Sequence, residues 1–158
     1  EALTERLLTM NSVGELLLTL GLVAVIPAVG EELFFRGTIQ QLIRTKWGPH
    51  VAVWLTALIF SAIHFQFYGF VPRMLLGALM GYLLVWSGSL WYPILAHFVN
   101  NGTVVLFYYI DKKGWIHFDP ETFGSKETAI AGYISIVVVS FLLWIYRKKL
   151  RPTLPNNQ

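Results

Sequence analysis

Glu31, Glu32 and Arg36 are three ionisable side chains in a stretch whose neighbours are almost all apolar. A charge at bilayer depth costs about 2.5–3.5 kcal/mol on insertion scales, so it turns to a protein interior or a wet cavity and marks a functional site by default. On a helix Glu32 and Arg36 share a face, with the acid on the N-terminal side, the better order for an ion pair. Glu31 stands roughly 140° round the helix from Arg36. One carboxylate is therefore paired and the other is left to accept a proton. The Glu32–Arg36 pair reads equally well as a structural ion cluster, because partnered buried charges are usually structural.

Two later apolar stretches carry polar groups of their own. His64 lies in residues 51–67, and His97 with Asn101 in residues 91–110. His97 and Asn101 are one helical turn apart and can point into one cavity. There they would stabilise an oxyanion, or form a polar seam worth about 0.6–2 kcal/mol per hydrogen bond. Asn100 is expected to point elsewhere. A Ser61–His64 dyad is disfavoured, since both side chains compete for one helix face and the sequence has no G-x-S-x-G elbow. His50 and His117 receive no role. Four polar groups on three apolar helices make a shared buried site the working hypothesis.

The elements that must position these groups follow from composition. Of 158 residues, 55% are hydrophobic and 13% charged, and the mean hydropathy is +0.56. Soluble domains carry about twice that charge, so the chain reads as an integral membrane protein. The expected fold is all-α: a single domain, residues 1–158, forming a polytopic bundle of about five to six transmembrane helices. Ser12 and Glu15 fit a capping box that opens an apolar run to residue 43. At 1.5 Å per residue that run exceeds the roughly 30 Å hydrocarbon core, so it must tilt, kink at Pro27 or break. A break would put Glu31 and Glu32 in the first turn after Pro27. Residues 44–49 read as a loop and 51–67 as a helix. Residues 72–86 form a span whose Gly77-x-x-x-Gly81 admits a close neighbour, and 91–110 form another. Residues 12–110 hold the polar motifs, 111–128 form an extramembrane loop, 129–146 the last span and 147–158 a basic tail.

Arg147, Lys148, Lys149 and Arg151 in that tail argue for a cytoplasmic C-terminus. Counting back puts Arg44 and Lys46 inside as well. On this count His64 and His97 differ in depth by roughly 10 Å, unless a loop after Gln66 dips inward. The net charge of +3 gives no reason to expect nucleic acid, and zero cysteines exclude disulfides and cysteine nucleophiles.

Glu31-Glu32-x-x-x-Arg36, Phe60-x-x-x-His64 and His97-x-x-x-Asn101, in that order, make the chain resemble the CAAX-protease and bacteriocin-processing family, which includes the Rce1-type prenyl-protein endopeptidases. The resemblance covers roughly residues 12–110. It implies an intramembrane endopeptidase in which Glu31 and His64 activate water, His97 and Asn101 hold the oxyanion, and Glu32 and Arg36 support the site. It implies that N-terminal helices are missing, and a peptide or protein substrate, lipidated or membrane-embedded. The mechanism implied is metal-free, with zinc a minor option because two His and a Glu are present but H-E-x-x-H is not. The alternative is a non-catalytic immunity or scaffold protein of the same fold. A proton-coupled transporter is a weaker third reading.

Overall fold

Ser12 caps the first helix of the described residues, its hydroxyl accepting from the backbone N–H of Glu15 at 3.2 Å. The Glu15 carboxylate reaches back to the N–H of Asn11 at 2.7 Å, one residue earlier than a standard capping box. The structure, a computed structural model, describes residues 9–116 apart from 66 and 68. The expected last span at 129–146, the tail at 147–158 and most of the 111–128 loop lie outside the described residues.

From that cap the helix does not break. α1 (Val13–Thr19) passes through a π-helical segment, Leu20–Val25, into α2 (Ile26–Glu32). A second π-helical segment, Leu33–Ile39, leads into α3 (Gln40–Ala62). Of the tilt, kink or break that the length required, the break at Pro27 does not occur, and Glu31 and Glu32 close α2 rather than starting a helix. Proline cannot donate to the carbonyl four residues back; here that is Val23 O, which accepts instead from the Asn101 side chain at 3.2 Å. Side chains filling carbonyls freed in this way are how apolar helices tolerate proline. In the second π segment, Gln41 likewise donates to Arg36 O at 3.1 Å.

The expected loop at 44–49 shrinks to one residue. Gly48 takes φ 76° and ψ 173° inside α3, a region open essentially to glycine alone. Pro49 then supplies the fixed φ that suits a helix start. The stretches before and after Gly48 both pack on one strip of α4 (Phe70–Ser87). Arg36 donates to Gly77 O and Gln40 to Gly81 O, at the same offset of 41 residues, so this part of the chain runs parallel to α4. Beyond Gly48, Val53 lies against Gly81 and Ala57 against Gly77, so that half runs antiparallel. A Cβ on Gly77 would stand 3.3 Å from Ala57 Cα. The glycine pair therefore brings three helical stretches together.

α3 ends at Ala62, short of residue 67, and the chain turns through His64 before α4. Leu90, just before α5 (Trp91–Lys112), packs beside Gly37, where an added Cβ would stand 3.4 Å from its Cδ1. α5 therefore starts well inside the Gly48 end, and that deeper start removes the depth mismatch between His64 and His97. α5 returns along α2 and α1, with Lys113 Nζ donating to Asn11 O at 2.8 Å.

The described residues are all-helical, with no strand among them. Two stretches, Val13–Ala62 and Phe70–Ser87, are long and apolar enough to cross a membrane. That is fewer than the five to six spans expected: Val13–Ala62 holds two of them, joined at Gly48, Trp91–Lys112 is not among the two stretches, and the last lies outside the described residues. Small residues (Ala24, Ala28, Ala52, Ala57) fill the interior, while Leu17, Phe34, Leu42 and Leu95 face outward. That distribution suits a lipid surround, where close backbone packing replaces hydrophobic burial.

Candidate active site

Glu32 and Arg36 are both fully buried, and Arg36 Nη1 donates to Glu32 Oε1 at 2.9 Å. The helical spacing brings them together, and tertiary packing adds two partners. Arg36 Nη2 donates to Gly77 O at 2.8 Å, and His97 Nδ1 donates to the same Glu32 Oε1 at 2.8 Å. Glu32 is therefore the hub between α2 and α5, a link that the sequence did not reveal. Because Nδ1 gives its proton to a carboxylate, Nε2 of His97 is the nitrogen left for other work. It stands 3.9 Å from Glu31 Oε2, beyond hydrogen-bond length.

Glu31 is about one-third exposed and faces a cavity of about 330 Å³. His64, His97 and Asn101 line the same cavity. His64 Nδ1 lies 2.8 Å from Phe60 O. A carbonyl only accepts, so Nδ1 carries the proton and Nε2 of the neutral ring is an acceptor. Asn101 spends one amide hydrogen on Val23 O and has one more to give.

Two further residues alter the sequence reading. Asn100, expected to point elsewhere, lines the cavity and donates to Asn101 Oδ1 at 3.1 Å; that correction leaves the Asn101 Nδ2 hydrogens free of competition from its own neighbour. Phe60, quoted only as part of a motif, is the packing centre of the site. Its ring meets those of His64, His97 and Phe35 edge-on at centroid distances of 5.0, 6.2 and 5.1 Å. The Arg36 guanidinium lies 4.8 Å from its centroid, within cation–π range. Arg73 on α4 also lines the cavity; its place in the first turn of an apolar span is the one sequence signal that could have found it.

Ser61 donates to Phe70 O at 2.6 Å, which commits its hydroxyl to holding the start of α4. Among the described residues no three His, Asp or Glu side chains are grouped so as to hold a metal ion; Glu31, His64 and His97 do not form a zinc-binding set in this arrangement.

Residues 13–103 match the family model described as type II CAAX prenyl endopeptidase, Rce1-like. An uncharacterised protein of Bacillus subtilis (strain 168), YpbD, is 33% identical over 76 residues, 46% of this chain and 36% of that protein. An uncharacterised 24.3 kDa protein of Escherichia coli is 26% identical over 112 residues, 68% of this chain and 52% of that one. The chain thus spans about half or less of the curated relatives it matches. No solved structure matches it significantly.

Proposed function

From the premise that the chain belongs to the type II CAAX prenyl endopeptidase Rce1-like family, we propose that it is an intramembrane endopeptidase whose nucleophile is water activated by Glu31. The observation that carries this reading is the single cavity shared by Glu31, His64, His97 and Asn101. His64, its Nδ1–H fixed on the Phe60 carbonyl, accepts a hydrogen of the water through Nε2 and orients it. Glu31 takes the other proton as the water oxygen adds to the scissile carbonyl carbon, and later delivers it to the leaving amine. The carbonyl oxygen, now an oxyanion, accepts from Asn101 Nδ2–H and from Nε2–H of His97 in its doubly protonated form. Glu32 is then a positioning residue for His97, and Arg36 holds Glu32 in place.

A multi-pass bundle of five to six spans with a cytoplasmic C-terminus is part of the same proposal. Its support is the apolar helices and the basic tail. The substrate is a peptide or protein reached from the bilayer, lipidated or membrane-embedded.

The test is cleavage of a peptide library in reconstituted vesicles by the wild type and by Glu31→Gln. The variant should insert and fold normally yet lose cleavage, because it removes the proton acceptor and little volume. Normal cleavage by Glu31→Gln would refute the glutamate assignment. No cleavage by the wild type would bring forward the non-catalytic scaffold reading.

A further inference from the structure

One face of α4 walls the cavity. Pro72, Arg73, Leu76 and Met80, with Gly69 at the N-cap, all line it; 69, 73, 76 and 80 are spaced by three or four, as positions on one side of a helix are. Among the described lining residues Arg73 is the permanent cation. It lies one turn into a stretch apolar enough to cross a membrane and is partly buried. Its Nη2 rests where a Cβ on Gly69 would come within 2.8 Å, so the glycine leaves the room that the guanidinium occupies. The water-activating and oxyanion roles do not use it. A cation in such a stretch is costly to keep and is functional by default.

Beside Arg73 on the same face, Leu76 and Met80 are apolar, while Glu31, His64 and Asn101 bring the polar chemistry from other elements. Resting on the peptidase reading, the geometry points to Arg73 as the specificity-determining residue that pairs a substrate carboxylate, with Leu76 and Met80 packing the apolar side chains next to it. A planar guanidinium matches a carboxylate in a two-bond fork. The cavity of about 330 Å³ is near the low end of ligand sites, so the segment it takes is short. The carboxylate comes either from the free C-terminus of the peptide or from an Asp or Glu side chain close to the scissile bond.

The test uses the full chain in lipid nanodiscs and four labelled hexapeptides of Ala, Val and Leu. These are a free acid, its C-terminal amide, and two amides carrying Asp or Asn at one position. Binding is followed by fluorescence anisotropy in the Glu31→Gln background, with Arg73 intact, Arg73→Lys and Arg73→Gln. Arg73-intact protein should bind one carboxylate peptide at least about tenfold more tightly than its neutral partner. Preference for acid over amide assigns the terminal group, and preference for Asp over Asn the side chain. Arg73→Gln should erase the preference, and Arg73→Lys should keep part of it. With Glu31 restored, Arg73→Gln should raise KM for the preferred peptide about tenfold and leave kcat nearly unchanged. Equal binding of all four peptides by Arg73-intact protein overturns the assignment without needing any Arg73 variant to fold. So does a preference that survives Arg73→Gln. If the preference holds while the wild type cleaves nothing, the peptidase reading fails and the carboxylate site stands.

Discussion

The structural task of Asn101 and the oxyanion role proposed for it separate in experiment. One amide hydrogen holds Val23 O, the carbonyl that Pro27 cannot serve; the other is free for the oxyanion. Asn101→Ala should lower kcat by about 10²–10³, or about 2.7–4 kcal/mol, and stability by about 1–3 kcal/mol from the unpaired carbonyl. Steady-state kinetics and thermal unfolding in detergent read the two effects independently. Arg36 differs in kind, because it holds Glu32 and the Gly77 carbonyl and leaves the water to others. Its replacement by Ala strands a buried carboxylate, at a cost of about 3–5 kcal/mol. The expected result is loss of yield and a lowered Tm before any question of rate arises. A well-folded but inactive Arg36→Ala protein would give Arg36 a direct catalytic part.

At the scale of elements, the site depends on how one long helix is bent and filled. The π segments flank α2, which carries Glu31 and Glu32; such segments occur frequently at functional sites. Gly48 reverses the chain in one residue, and the return half of α3 delivers Phe60 and His64 to the cavity. Any side chain at φ 76° and ψ 173° is strained. Gly48→Ala should cost about 1–3 kcal/mol, measurable as a lowered unfolding midpoint. Because Gly48 is remote from the cavity, the activity remaining in the folded fraction should stay close to wild type. A stability equal to wild type would mean that the reversal relaxes without the glycine.

Taken whole, the described chain has two ends. Gly48 and the Ser87–Leu90 turn lie at one, and Asn11 and Lys113 meet at the other. Arg44 and Lys46 make the first end basic, and the proposed topology puts it on the cytoplasmic side. The chain has no cysteine, so single-cysteine variants report topology directly. In sealed vesicles an impermeant thiol reagent should label Lys46→Cys and Ser89→Cys from one face and Lys112→Cys from the other. Labelling of Lys46→Cys and Lys112→Cys from the same face would contradict the two-ended arrangement.

The sequence by itself determined what helical periodicity and composition control. It gave the all-helical class, the family, the Glu32–Arg36 pair and the common face of His97 and Asn101, because residues within one turn meet whatever surrounds them. It could not tell which faces meet one another. The bond from His97 to Glu32 spans 65 residues, and that from Asn101 to Val23 spans 78. Both depend on how α5 lies against the long helix. The levels of His64 and His97 agree because Leu90, just before α5, packs beside Gly37 rather than at the Gly48 end, a placement that no helical pattern reveals. Asn100 and Arg73 were missed for related reasons. The periodicity assigned Asn100 a face without saying where the cavity edge lies. A cation in the first turn of a span looks the same in sequence whether it reaches for water at the interface or turns inward, as Arg73 does. Only the packing of three helical stretches over Gly77 and Gly81 decides where the cavity opens and which side chains it collects.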